Sequence, residues 1–260
     1  MRLPILLALA LATASGCTDE EARVVQTGGG GGGGGGVGGN SDAGPSGSDA
    51  NVELELSGSV CLVTDMRDPF LCPQTTSLEG IEIRIAGTTI STLSSASGAF
   101  SLAAPGIDTY NLQIAYGDTD GYRDVLMPVS VSSGGVENVR LPAIPDSFWL
   151  DLTTAVGVAE SSDSTGLAVY FQSSEPPFAP ISGVELSAVG ANATLYDGPL
   201  GINDWSPSGL TGASGTALVL GLPNDTATTQ FDVSGALSAR TISDVPIDPN
   251  VLTIVQIITQ

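Results

Sequence analysis

The stretch Leu78-Glu79-Gly80-Ile81-Glu82-Ile83-Arg84-Ile85-Ala86-Gly87 returns later in the chain as Ile181-Ser182-Gly183-Val184-Glu185-Leu186-Ser187-Ala188-Val189-Gly190. In each copy apolar and polar residues alternate after a glycine, which is the period of a strand with one buried face. A second pair of segments follows: Ser95-Ala96-Ser97-Gly98-Ala99-Phe100-Ser101-Leu102 and Thr211-Gly212-Ala213-Ser214-Gly215-Thr216-Ala217-Leu218-Val219-Leu220. Each copy then reaches a proline, Pro105 or Pro223. A repeat of about 100 residues is too long for a solenoid unit and indicates a duplicated domain.

The flanking sequence carries the same signature. Val52 to Leu56 and Tyr110 to Tyr116 alternate, and short strands are expected at 99–102, 129–131, 136–141 and 166–171. Ser97-Gly98, Pro105-Gly106, Asp120-Gly121 and Ser133-Gly134-Gly135 punctuate them as turns. Pro142-Ala143-Ile144-Pro145-Asp146 reads as a stiff junction. Beyond it, Phe148, Leu150 and Leu152 alternate with Trp149 and Asp151 and predict a further strand. No window sustains a helical apolar stripe over ten residues. The expectation is an all-β chain, with one sandwich over 52–145 and a second over 147–260 that carries an insertion at 191–210. The pattern accommodates either two separate sandwiches or one continuous one.

These residues resemble the transthyretin-like, or carboxypeptidase-regulatory-like, β-sandwich family, which is similar in turn to the Cna B-type repeats of bacterial surface proteins. The family's signature is a strand of the form Gly-Val/Ile-x-Val/Ile and then a Thr/Ser-x-Gly-x-Phe-x-Leu hairpin. Gly80, Ile81, Ile83, Gly98, Phe100 and Leu102 match it in the first copy. Gly183, Val184, Leu186, Gly215 and Leu218 or Leu220 match in the second, where Ala217 stands at the Phe position. The resemblance implies prealbumin-like Greek-key sandwiches. Cna B-type domains often carry a Lys–Asn or Lys–Asp isopeptide crosslink, and the absence of lysine excludes it here.

Ahead of the repeat, Arg2, the apolar run Leu3 to Ala12 and Ala14-Ser15-Gly16-Cys17 open the chain. The run is too short to span a bilayer and reads as a signal peptide over 1–16. Its small-small-Cys ending resembles the lipobox of bacterial lipoproteins; the alternative is an ordinary secretory signal with an incidental cysteine. The resemblance implies that Cys17 is lipidated, becomes the mature N-terminus and carries several acyl chains such as palmitate, which makes a durable membrane anchor. Thr18 stands where Asp favours inner-membrane retention in some Gram-negative bacteria, which implies the outer membrane. Residues 17–51 hold a glycine run, Gly28 to Gly36, and polar residues. Such a segment cannot bury enough apolar surface to fold and is expected to be a disordered tether with a reach on the order of 30 Å.

Composition narrows the function. The formal net charge is −21 and charged residues make up only 13%. Binding to nucleic acid or an anionic surface rests on cationic side chains, so a nucleic-acid partner is excluded. The chain has neither histidine nor lysine, which removes the usual general bases and activated nucleophiles. No carboxylate pair stands out for glycoside hydrolysis: Glu53 and Glu55 share a solvent face, and Glu82 and Glu185 occupy equivalent outward positions. Asp118-Thr119-Asp120-Gly121, with Asp124, matches only the opening of a calcium loop and reads as a hydrated turn. No catalytic, cofactor or metal site is expected. With Cys17 assigned to the lipid, Cys61 and Cys72 remain as a pair in an exported chain and are expected to form a structural disulfide, contributing about 2–3 kcal/mol.

Trp149, Trp205, Tyr170 and Tyr196 are the aromatics able to form a docking platform, Trp205 and Tyr196 being the candidate ligand-binding pair. The sequence reading is a membrane-anchored envelope lipoprotein with a structural or spacer role. Its alternative is a carbohydrate- or protein-binding accessory module with a site near 191–210.

Overall fold

In the computed structural model, which describes residues 23–24, 53–72, 78–115, 121–158, 165–199, 204–223, 225 and 227–259, the alternating segments become strands of three sheets. The first unit comprises β2 (Leu54–Leu62), β3 (Glu82–Ile85), β4 (Ser91–Leu93), β5 (Ala99–Ala104), β6 (Asp108–Ile114), β7 (Tyr122–Arg123), β8 (Val125–Val131) and β9 (Val136–Pro145). A helix, α1 (Asp146–Ala155), leads into β10 (Thr165–Ser173), β11 (Val184–Ala188), β12 (Ala193–Asp197), β13 (Trp205–Ser206), β14 (Thr216–Leu222), β15 (Thr228–Gly235), β16 (Arg240–Pro246) and β17 (Leu252–Thr259). Within the 17–51 segment, β1 (Arg23–Val24) pairs antiparallel with β17.

The duplication is visible in the strand pairing. In the first unit β2 lies antiparallel to β5 and parallel to β9; in the second β10 lies antiparallel to β14 and parallel to β17. The facing ladders, β3-β6-β8 and β11-β15-β16, are antiparallel in both units. The units then join edge to edge: β17 pairs parallel with β8 through Leu252↔Val125 and Thr253↔Leu126. One long sheet, β13-β12-β14-β10-β17-β8-β6-β3-β4, therefore runs through both halves.

The repeat extends to single hydrogen bonds. The Gly80 N–H donates to the Ser94 carbonyl at 2.9 Å, and the Gly183 N–H to the Thr211 carbonyl at 2.7 Å. The Ile81 and Val184 N–H groups donate to the hydroxyls of Ser94 and Thr211, at 2.9 and 3.0 Å. Those hydroxyls donate onward to the carbonyls of Leu78 and Ile181. Gly98 and Gly215 sit at φ 77° and 64°, a conformation that costs glycine little. A Cβ at Gly215 would also lie 2.7 Å from the Phe171 carbonyl oxygen, a contact no side chain tolerates.

Ala217, the departure from the family pattern, is compensated across the ladder. In the first unit Phe100 faces Gly58, and in the second Ala217 faces Val169, with Phe171 and Phe231 completing the core. Side-chain volume is exchanged between neighbours, the kind of swap that cores accept.

Two expectations are corrected. Residues 142–145 are no linker: Pro142 pairs with Cys61 and Ala143 with Leu62 inside β9, and Ala143 and Ile144 are fully buried. The strand expected at Phe148–Leu152 is helix α1. Its buried residues are Trp149, Leu152 and Thr153, an i, i+3, i+4 set, while Leu150 is 62% exposed. Over so few residues both periods fit the sequence, and the helical face wins because it covers the sheet beneath it. Asp146 lies in the first turn and Gly157 follows the end at φ 72°, each in a position that favours these termini.

Ser94 and Thr211 are 4% and 3% exposed. Ser94→Ala or Thr211→Val leaves a buried N–H and carbonyl without the hydroxyl between them. Urea unfolding is expected to show a loss of about 1–3 kcal/mol for each.

Candidate functional site

Among the expected site residues, Cys17 and Asp118 to Asp120 lie outside the described residues. Cys61 and Cys72 are disulfide-bonded, with Cα atoms 4.6 Å apart. Of the candidate aromatics, Trp149, Tyr170 and Trp205 lie in the core shared by the two units, and Tyr196 lies in the second unit's own core.

The loop closed by this disulfide leaves β2 and crosses to the second unit. Its start continues the ladder, the Val63 N–H donating to the Ala143 carbonyl at 2.8 Å. Val63 and Met66 are buried in a core that also holds Ala168, Tyr170, Leu218 and Leu220 of the second unit. The Tyr170 hydroxyl donates to the Met66 carbonyl at 2.7 Å, and Phe70 meets the Tyr170 ring edge-on at 5.4 Å between centroids. Arg140 holds the end of the loop by donating to the Phe70 carbonyl at 2.9 Å. Trp149 of α1 packs into the same core with the Arg123 guanidinium 5.0 Å from its ring.

Charge gathers at this seam. Arg67 pairs with Asp65 at 2.7 Å. Hydrogen bonding to Asp65 raises the guanidinium's already high pKa, and the fields of Asp65, Asp197 and Asp204 add to it while burial opposes. Asp197, 5% exposed, accepts the N–H groups of Gly212, Ser214 and Thr216 at 2.7, 2.9 and 3.1 Å. Sequence reading missed this organiser of the 211–216 hairpin, because Tyr-Asp-Gly looks like any other turn.

The expected aromatic platform is corrected. Trp205 and Tyr196 are 7% and 5% exposed, so neither presents a face to a ligand. The 191–210 insertion builds the β12–β13 hairpin, and Trp205 packs beneath it in the core. Tyr196 reaches across to the other sheet: the Leu186 N–H donates to its hydroxyl at 3.0 Å, and that hydroxyl donates to the Leu186 carbonyl at 2.8 Å. It closes the outward edge of β11.

Glu55, Glu82 and Glu185 are exposed, as their alternation implied. No group of three His, Cys, Asp or Glu among the described residues is placed to hold a metal ion. Asp225 and Asp244 line one concavity with a volume near 370 Å³. Both are exposed.

No family model and no curated protein matches this chain. Several solved structures give partial matches. A cohesin–X-dockerin complex of Acetivibrio cellulolyticus matches over 48% of this chain and 80% of its own, with 16% identity and a TM-score of 0.26. The Bacillus anthracis TIE protein covers 79% of this chain and is itself covered over 34%, with 14% identity and a TM-score of 0.26. A structure from Bacteroides ovatus, described as a cell adhesion protein, matches over 81% and 96%, with 10% identity and a TM-score of 0.23. Scores this low establish no shared fold.

Burial pushes the Tyr170 hydroxyl's pKa well above its ordinary value, and Asp65 and Asp68 add to the rise; burial also raises Tyr196. A raised folded value means that this stability is intact below the unfolded value of about 10 and is lost as pH climbs past it toward the folded value. Tyr170→Phe is therefore expected to cost about 0.5–1.5 kcal/mol at neutral pH through the lost bond to Met66. It is also expected to lose less stability than wild type between about pH 8 and about pH 11. Urea unfolding at both pH values reads both effects.

Proposed function

We propose that this chain is a lipid-anchored protein of the bacterial envelope, held by Cys17 in the outer membrane, whose transthyretin-like sandwiches serve as a non-catalytic spacer. The observation that carries this reading is the single core shared by the two units, which runs from the first sandwich through the disulfide loop and α1 onto the second unit's sheet. A core shared in this way resists bending between units, and rigidity is what a spacer needs. The paired ladders β5-β2-β9 and β4-β3-β6-β8 support the family resemblance, and the absence of histidine and lysine supports a role without catalysis. Burial of Trp205 and Tyr196 does not favour a ligand site at 191–210.

The anchor is tested by intact mass of the membrane-extracted chain beside Cys17→Ser. The expected outcome is a lipid-sized increment that the variant lacks, with the variant released to the soluble fraction. An unlipidated mature chain free in solution overturns the anchored reading. The spacer is tested by unfolding: one cooperative transition seen alike by tryptophan fluorescence and far-UV circular dichroism is expected, whereas two separate transitions would argue against a rigid body.

A further inference from the structure

The two units protect their sheet edges differently, and the difference leaves one strand open. The chain between β3 and β5, and its counterpart between β11 and β14, can cover only one of two edges. In the first unit β4 covers β3. In the second, β12 crosses to the other sheet and covers β14, with Ala193↔Leu220 and Leu195↔Leu218 in register. The edge it abandons, β11, is closed locally: the Tyr196 hydroxyl takes both outward groups of Leu186, the Val184 N–H donates to the Thr211 hydroxyl, and the Val184 carbonyl accepts the Thr211 backbone N–H.

Among the described residues β5 has no such cover. The bond from the Val60 N–H to the Gly98 carbonyl, 2.9 Å, fixes the parity of the β2–β5 ladder. Phe100, Leu102 and Ala104 face β2, whereas Ser101 and Ala103 turn their N–H and carbonyl groups away from it. The Ala99 carbonyl, next along that edge, accepts the Ser95 N–H at 2.8 Å. Ser101 and Ala103 leave four backbone groups on the outer edge, at positions equivalent to Leu218 and Leu220, which β12 occupies in the second unit.

Edges are normally blunted by charge, proline, a bulge or shortness. Among the described residues, β4, β7 and β13 are short. β16 carries Arg240, Pro246 and Asp244 at φ 58°. β5, Ala-Phe-Ser-Leu-Ala-Ala, has none of these protections.

We propose that β5 is a self-pairing edge through which two copies of this chain join their sheets about a two-fold axis. A two-fold makes the two β5 strands antiparallel, the orientation β12 takes on β14. With the axis at Leu102, Ser101 lies opposite the partner's Ala103 and Ala103 opposite the partner's Ser101. These two hydrogen-bonded pairs exchange four N–H···O bonds and satisfy all four open groups. The occupant is a second copy because the open groups of Ser101 and Ala103 are self-complementary about the two-fold and β5 itself carries no charge. The carboxylate beside it is Glu55 of β2, which accepts the Ser101 hydroxyl at 3.1 Å. In a chain of net charge −21, like charges set directly opposite each other would oppose pairing, and Ala99, Ser101 and Ala103 set none there.

The test is the solution mass of the Cys17→Ser chain by light scattering over a range of concentrations; it does not depend on whether Cys17 is lipidated. Twice the protomer mass is expected, falling to one on dilution. Ser101→Pro removes an outward N–H, hence two of the four bonds, and is expected to weaken the dimer about tenfold or more. Ser101→Lys places charge on the same edge and should do likewise with an unchanged far-UV circular dichroism spectrum, which separates loss of pairing from loss of fold. A wild-type monomer at every concentration overturns the proposal, as does a dimer indifferent to Ser101→Lys.

Discussion

The sheet of the second unit is apolar on both faces, and the rest of the molecule follows from covering it. Along β10, Leu167, Val169 and Phe171 point to one core while Ala168 and Tyr170 point to the other. β14 repeats the division with Ala217 and Val219 against Leu218 and Leu220. A half-solvated antiparallel sheet needs one layer of cover; this one needs two. The ladder β11-β15-β16 covers one face. The other is covered by α1 and by the disulfide loop of the first unit, so separating the units would return Tyr170, Leu218 and Leu220 to water. At about 25 cal/mol per Å² of apolar surface, side chains of this size each resist that by a kilocalorie or more.

Most of the sheet structure was legible because it obeys a period of two. β2, β3, β5 and β6 overlap the segments that alternation marked, and the likeness of Gly80–Ile83 to Gly183–Leu186 extends to the bonds made by Ser94 and Thr211. Alternation failed where both faces are buried. β10 and β14 are buried on both faces and show no alternation along Leu167–Phe171 or Ala217–Leu220, so their sequences carry no face information. It failed again at Phe148–Leu152, where two periods coincide over five residues and only the sheet below decides between them.

The candidate site was legible only in its covalent part. Cys61 and Cys72 could be paired by elimination, but nothing local said that the loop between them would dock on Tyr170, more than a hundred positions away in the chain. Trp205 and Tyr196 look like exposed loop aromatics because the insertion around them has weak strand character. Tyr196 is in fact a buried staple whose partner, Leu186, lies in the opposite sheet. Such roles depend on contacts between sheets, to which a window along the sequence is blind.

The duplicated units also show how one ancestral pattern reaches two solutions for the loop after the first strand. In the second unit the Ser173 N–H donates to the Ala179 carbonyl at 2.9 Å and the Ile181 N–H to the Phe171 carbonyl at 2.8 Å, so the backbone closes that loop itself. In the first unit the equivalent loop projects and buries Val63 and Met66 against the other unit. A disulfide between Cys61 and Cys72 supplies the closure there. It limits the freedom of the unfolded loop and presents Met66 to Tyr170 with less entropy to lose. The crosslink thus belongs to the junction of the units as much as to the unit that contains it.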